Sequence, residues 1–473
     1  MSTVLIIGAG PAGMAAARSA RARGAEVTLL DSSDQLGGQY WRHLPPARPS
    51  ARERVLHHGW DKFTTLQDAL RADSGCRIIS GAQVWAIEPT AAGKPGRVHA
   101  VVGTSDGVER EKLTIEPDAL IIATGAHDRT LPFPGWDLPG VFTGGAAQAL
   151  AKGERVAVGQ RVLVAGAGPF LLPVAASLAA TGARVLGVVE ANRIPTLTRG
   201  WLPRPWELVS ASSKALELAG YVSGQLRHRI PYSIGRAVVA AHGTRRVESV
   251  TVAEVDAEWA PIAGTEKTMQ VDALCISHGF VPRLELAIAA GCALSPERFV
   301  TVSDTQETST PAVYAAGELT GIGGVDLALA EGAIAGHFAA GGATGDKRLA
   351  SALRRRATFT GFAARIEAAH GIRPGWQKML TPDTTVCRCE EVTYQTLCDT
   401  AAATASSSLR SLKLSTRAGL GICQGRMCGR SVEEILATLS PEEKLGDGAI
   451  TDRRPIAAPI RLGELAASAQ HTE

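Results

Sequence analysis

The chain has 473 residues, 45% hydrophobic and 20% charged, which at roughly 150 residues per domain suits about three globular domains with sizeable cores. With 49 Lys and Arg against 46 Asp and Glu, the formal charge is +3, so nothing electrostatic points to nucleic acid or an anionic membrane as partner. No apolar run reaches the roughly 18 residues of a spanning helix, and the N-terminus lacks the basic region of an export signal, so a cytoplasmic protein is expected.

Val4-Leu-Ile-Ile7 reads as a first strand, followed by Gly8-Ala-Gly10-Pro11-Ala12-Gly13, an Ala-rich helix to about Arg23, and a second strand over 26–31. This is the strand–turn–helix–strand pattern of a dinucleotide fold. Gly8 permits the tight turn, Gly10 lets a pyrophosphate approach the backbone, and Gly13 lets helix and strand pack closely. Asp31, 18 residues past Gly13, stands where a carboxylate takes ribose hydroxyls.

The pattern recurs from Arg161, with Gly166-Ala-Gly168-Pro-Phe-Leu171 and a strand ending at Glu190. Here Leu171 replaces the third glycine and Pro173 follows within the first helical turn. Leu171 is expected to separate helix from strand and crowd the phosphate site, making this second domain degenerate. Between the two folds lies the strand and turn Leu120-Ile-Ile-Ala-Thr124-Gly125. After them come the strand Asp272-Ala-Leu-Cys-Ile-Ser-His278-Gly279, then Tyr314-Ala-Ala-Gly317-Glu318 and a helix to about 340. His57, His58, His127 and His278 are read as surface or hydrogen-bonded histidines before any acid–base role. Arg354-Arg-Arg356 is read as a solvated helix face or subunit contact.

Four of the eight cysteines fall together: Cys387 and Cys389, a 33-residue gap, then Cys423 and Cys428. Two close thiolate pairs suit a soft metal centre better than a disulfide framework. Cys-x-Cys is unusual for structural zinc, although a zinc-stabilised module remains an alternative. Cys398 is read as a bystander. Cys76, Cys275 and Cys292 are isolated and read as small buried residues, so dithiol chemistry is not expected.

On these motifs residues 1–340 resemble the flavoproteins with two dinucleotide-binding domains, the glutathione-reductase-like and thioredoxin-reductase-like enzymes. The resemblance implies FAD at the N-terminal fold, with Thr124 and Gly125 at its strand end. It implies Gly38 and Gln39 near the flavin, Val84 at the adenine, and Gly317 and Glu318 at the ribityl chain. Residues 381–445 resemble the bacterioferritin-associated-ferredoxin-like [2Fe-2S] domain, which implies that Cys387, Cys389, Cys423 and Cys428 ligate the cluster. The whole chain is similar to the alpha-type subunits of the hetero-oligomeric amine and imino-acid dehydrogenases: opine oxidase, hydrogen cyanide synthase, the hydroxyproline and proline dehydrogenases, and sarcosine oxidase.

The expected fold is therefore α/β, two Rossmann-like dinucleotide domains plus a small, mainly helical [2Fe-2S] domain. The FAD domain is expected at 1–150 and 272–345, the second nucleotide domain at 151–271, a connector at 346–380, the cluster domain at 381–445 and a tail at 446–473. The resemblance further implies an electron relay, a D-amino-acid-oxidase-like partner subunit with a small ferredoxin-like one, and an FMN at their interface; no motif here marks the FMN. A self-sufficient NAD(P)H-dependent reductase and a scaffold holding only an adenine nucleotide are the alternatives. The catalytic residues, the amine oxidised and the terminal acceptor are not legible.

Overall fold

The computed structural model describes residues 2–469 except 46, 49–52, 90–93, 105–106, 108, 204, 206–207, 209–210, 407, 440–453 and 455. The chain forms two compact units, Met1–His127 with Pro282–Ala363 and Arg453–Glu473, and Asp128–Val281 with Ala364–Asp452. Among the described residues no helix is long and apolar enough to cross a membrane.

In the first unit a five-stranded parallel sheet runs Val313–Ala315, Ala119–Ile122, Thr3–Ile7, Glu26–Leu30, Cys76–Ile79. Its central strands are continuous apolar runs because both faces are covered. The helices Pro11–Arg21, Trp60–Ala72 and Gly324–Ala339 share one core with it. Helix Pro11–Arg21 lies backbone to backbone against Gly324–Ala339. A Cβ on Gly332 would stand 2.0 Å from the Ala12 carbonyl oxygen, and one on Gly336 would stand 2.1 Å from that of Ala16. An antiparallel sheet, Ala82–Glu88, Arg97–Val102 and Glu111–Ile115, completes the unit.

In the second unit a parallel sheet runs Tyr232–Ile234, Arg184–Glu190, Arg161–Gly166, Ala273–Ser277, Val141–Thr143. The antiparallel strands Arg236–His242, Ser249–Glu254 and Lys267–Gln270 accompany it. Helices Tyr394–Thr404, Leu409–Thr416 and Gly429–Leu439 follow. Leu397, Leu412 and Ile435 from these helices share one core with Leu131, Trp259 and Trp376. Polar ties reinforce it: Trp136 Nε1 donates to the Thr385 carbonyl at 2.5 Å, and Arg129 pairs with Glu434 at 2.8 Å.

The boundaries expected from the sequence move accordingly. Strand Ala273–Ser277 pairs with Arg161–Gly166, and Val141–Thr143 pairs with Ala273–Ser277. Residues 128–150 and 272–281 therefore belong with the second nucleotide fold, because its central strand needs a neighbour on each side. The segment 381–439 shares that unit's core and does not stand apart from it. The connector is the helix Ala350–His370 and a turn Pro374–Met379 whose Trp376 is buried. The described part of the tail, 454 and 456–469, belongs to the first unit.

Helix packing through glycine yields a stability test. Gly336→Ala should cost at least about 2 kcal/mol, because the added methyl meets backbone that cannot yield. Gly220→Ala, in the helix Ser212–Arg227 with nothing within 4 Å of the new methyl, should instead stabilise by about 0.5–1 kcal/mol. Urea unfolding of the two variants measures both signs.

Candidate flavin and cluster sites

In the N-terminal fold, Pro11 opens the helix at its first position, with Gly10 as the cap. Proline suits that place, since its missing N–H has no partner there. The three glycines divide their roles. A Cβ on Gly8 would stand 2.3 Å from the Ala123 carbonyl oxygen, and one on Gly13 1.8 Å from that of Gly8. Both positions are closed by packing. A Cβ on Gly10 would have only Gly38 Cα at 3.9 Å, so the space over Gly10 is open. Gly38 faces it with φ +58, where its own Cβ would meet Gly10 Cα at 2.9 Å. The result is a backbone-lined cradle at a helix N-terminus, which suits a pyrophosphate.

The other residues gather around it. Asp31 accepts from the Ala9 amide at 2.6 Å and the Ser33 amide at 2.7 Å. Burial pushes its carboxyl above the ordinary value against those hydrogen bonds. The Ala82 amide donates to the Asp31 carbonyl at 2.8 Å, which brings the buried Val84 strand alongside. Thr124 Oγ1 donates to the Arg283 carbonyl at 3.0 Å, and Gly125, with φ +71, has open space before it. A Cβ on Gly317 would touch the Ala12 methyl at 3.0 Å, so this turn abuts the cradle's helix. Gln39 turns outward and accepts from Arg42 Nε at 3.1 Å.

Glu318 accepts from the Gly324 amide at 2.9 Å. A second acid, Glu331, lies outside every sequence motif. It is buried, and it accepts from the Gly317 amide at 2.8 Å and from Thr320 Oγ1 at 2.7 Å. Burial raises both carboxyls to about 7, and Glu331 adds to the rise of Glu318. The signal that could have found it is an acid in the middle of the Ala-, Gly- and Leu-rich run Leu327–Gly336.

The second fold differs in two ways. Its helix starts at Leu171, not one residue after the second glycine as in the first fold. Leu171 does not crowd a phosphate site or part helix from strand. It is fully buried with Val162 and Val164, and the turn has moved to fit it. The Leu171 and Leu172 amides are bonded within that turn, to the Gly168 and Pro169 carbonyls at 3.2 Å. Glu190 is fully buried and already taken. It accepts from the Gly168 amide at 2.9 Å, the Asn192 amide and Nδ2 at 3.0 Å, and His370 Nδ1 at 3.2 Å. His370 in turn receives Trp201 Nε1 at 3.2 Å, and its Cβ lies 3.8 Å from where a Gly168 Cβ would be. The end of the connector helix thus sits on the ribose acid and glycine turn of this fold.

Cys387 and Cys428 are buried, Cys423 is half-buried and Cys389 exposed. Gly421 runs so close to Cys389 that a Cβ there would stand 2.3 Å from the Cys389 Cβ. The Gly419 amide points at Cys387 Sγ at 3.5 Å. The Cys428 thiol beside it holds the Cys387 thiol down to about 6 and is itself pushed up, while Cys389 interacts with Cys423 and Cys387. The four thiols therefore share one locus, with Gly-rich backbone against them. Among the described residues no group of three or more His, Cys, Asp or Glu is set up around a single ion; two adjacent thiol pairs are the arrangement a two-iron centre takes. Cys398 lies with Tyr394, and burial raises its thiol. Burial also raises Cys76, to about 11, and Cys275 and Cys292.

His57 follows the plain reading of a hydrogen-bonded histidine, whereas His278 does not: its Nδ1 is buried with no hydrogen-bond partner among the described residues. His57 is buried between the Glu53 and Arg42 carbonyls. Burial lowers His278 to about 3, so it is neutral. Arg355 and Arg356 pair with Asp326 and Asp304.

Comparison with known proteins agrees with these two centres. Residues 2–335 match the family described as pyridine nucleotide-disulphide oxidoreductase, and residues 385–438 match the BFD-like [2Fe-2S] binding domain. The chain belongs to that oxidoreductase family: it is a FAD-dependent oxidoreductase with a [2Fe-2S] domain. It is 33% identical to an opine oxidase subunit of Agrobacterium tumefaciens (strain Ach5), over 98% of this chain and 91% of the relative. It is 32% identical to hydrogen cyanide synthase subunit HcnB of Pseudomonas aeruginosa, over 90% of each chain. A crystal structure of L-proline dehydrogenase from P. horikoshii superposes with a TM-score of 0.66 at 19% identity, over 98% of this chain and 79% of that one.

Two outcomes test the sites. Gly10→Val should leave the fold intact and abolish FAD retention, because its side chain fills the open cradle; chromatography of heat-released cofactor reads the loss. Cys423→Ala should remove the iron and acid-labile sulfide of anaerobically purified protein while FAD stays at wild-type stoichiometry, since the two centres lie in different units.

Proposed function

We propose that this chain is the electron-transfer flavoprotein and iron–sulfur subunit of a multi-subunit amine or imino-acid dehydrogenase, of the opine, hydroxyproline, proline, glycine or sarcosine class. In this reading a D-amino-acid-oxidase-like partner subunit oxidises the C–N bond, and a small ferredoxin-like subunit completes the complex. The names of the relatives support it, since both denote subunits. The observation that carries it is the pairing, in one chain, of a nucleotide cradle and a four-thiol site with a second nucleotide fold closed by its own His370. A self-sufficient reductase must admit NAD(P)H at that second fold. Here the ribose acid accepts two backbone amides as Asp31 does, but it is also held by Asn192 Nδ2 and His370, and the turn amides are bonded within the protein, so displacing them would leave a buried carboxylate with fewer partners.

FAD takes up two electrons as a pair and a [2Fe-2S] centre passes them singly, so the combination suits a relay. The chain's residues serve that chemistry by position. Gly10 and Gly38 admit the pyrophosphate, and the helix Pro11–Arg21 presents its N-terminal dipole to it. Asp31 takes ribose hydroxyls. Glu331 fixes the Gly317–Thr320 turn, and Glu318 is placed beside it for the ribityl chain. Thr124, Gly125 and Val84 complete the lining. Cys387, Cys389, Cys423 and Cys428 hold the irons, and the Gly419 amide directed at a ligand sulfur tunes the potential. No residue is assigned to the FMN.

The test is anaerobic titration of the purified subunit. NADH and NADPH should both leave the flavin oxidised. In the assembled complex the amine should reduce it, and Cys423→Ala should cut amine-driven dye reduction at least tenfold while the partner's own flavin still reduces. Rapid bleaching by NADH or NADPH would make the self-sufficient reductase the better reading.

A further inference from the structure

Residues 454 and 456–469 return to the first unit and are held there at four points. Arg454 pairs with Glu285 at 2.7 Å, and the buried Ala457 donates its amide to the Trp85 carbonyl at 2.7 Å. Arg461 Nη1 donates to the Gly107 carbonyl. Glu464 receives Arg110 in a two-pronged pair, Nε at 2.7 Å and Nη2 at 2.6 Å, with side chains only 5% and 11% exposed. The same carboxylate accepts from the Arg461 amide at 2.9 Å, so it caps its own helix, Leu462–Ala469, as an acid at the third helical position does. Arg110 spends its remaining Nη1 on Gln83 Oε1 at 2.9 Å. That the Arg110 pair holds Glu464 down to about 2 accords with the geometry.

These contacts form one side of a half-open pocket of about 460 Å³. Its inner wall is Ser32, Gly81, Gln83, Gly103 and Arg110. Its outer wall is Pro459, Ile460 and Arg461, all from the returning segment. Ser32 directly follows Asp31, and the Gly81 amide donates to the Ser33 carbonyl at 2.8 Å. The cavity therefore opens beside the acid placed for a ribose, at the end of the strand that contains Val84. Its size lies in the range of small-ligand sites. Pro459 and Ile460 contribute apolar atoms to the lining and Gln83, Arg110 and Arg461 polar ones, and guanidinium planes stack on aromatic rings. A purine has that combination of flat faces and hydrogen-bonding edges.

We propose that the segment 456–469 is part of the nucleotide site: it forms the outer wall of the adenosine pocket, and the Arg110–Glu464 pair holds that wall in place. The inference rests on the N-terminal fold binding an adenine nucleotide, and adds that residues more than 400 positions from the glycine turn decide how firmly the adenosine half is held. The ligand chemistry is an adenosine diphosphate moiety, whether it belongs to FAD or to a free adenine nucleotide.

The experiment uses full-length protein stripped of cofactor, wild type beside Glu464→Ala, Glu464→Gln, Glu464→Asp and a chain ending at residue 453, each titrated with FAD, ADP and FMN. Glu464→Ala and the shortened chain should weaken FAD and ADP by at least about tenfold, since one partner of a buried charged pair is lost. Glu464→Asp should recover part of that loss. FMN, which lacks adenosine, should bind all forms alike, and the iron content should not change. Nucleotide released from the wild type tells FAD from ADP or ATP as the natural source. Unchanged FAD and ADP affinity in Glu464→Ala and the shortened chain, or an equal loss for FMN, would overturn this outer wall while leaving the nucleotide site standing. Failure of the wild type to bind FAD or ADP at all would overturn both.

Discussion

Helix Pro11–Arg21 reaches the strand beneath it and the helix beside it only through glycine. Backbone oxygens of Gly8, Ala12 and Ala16 occupy the space that side chains at 13, 332 and 336 would need. Everything in the first unit depends on that approach. It sets the helix N-terminus over the Gly8–Gly13 turn and brings the Gly317 turn against Ala12. Beside that contact, Glu331 ties Gly317 and Thr320. A carboxyl buried there is costly unless it is bonded, and it accepts two hydrogen bonds while burial raises its pKa.

The two nucleotide folds show how one pattern takes two fates. Each has a strand, a glycine turn, a helix and an acid ending the next strand. In the first, the acid folds back on Ala9 and Ser33 and the turn stays open over Gly10. In the second, a leucine at the third glycine position becomes a core residue, and the helix begins later. The amides that would meet a phosphate bond inside the turn. Glu190 then serves as an anchor, gathering Gly168, Asn192 and His370. A buried acid with that many donors is a tie between segments distant in sequence, so a binding position has become a structural one.

The cysteine segment depends on the same unit for its position. Its helices are short, of 11, 8 and 11 residues. Leu397, Leu412 and Ile435 complete a core with Leu131, Trp259 and Trp376, so the thiols are carried on a platform that the second nucleotide fold supplies. Small segments of this size rarely bury enough area alone.

Glycine spacing, apolar runs and cysteine clustering by themselves determined the class of fold, the N-terminal cradle and the four thiols. Each is a local property: a turn needs its glycines at fixed offsets, and a cluster needs its thiols in close pairs. Tertiary structure alone decided the rest. Strand Ala273–Ser277 could have joined either sheet, and pairing geometry chose the second. Leu171 looked like an obstruction, and only the shifted helix start shows where its side chain goes. His370 meets Glu190 across 180 residues of chain, and Glu464 meets Arg110 across 354. No periodicity or spacing encodes such pairs, because they arise when distant segments are brought together and their buried charges must find partners.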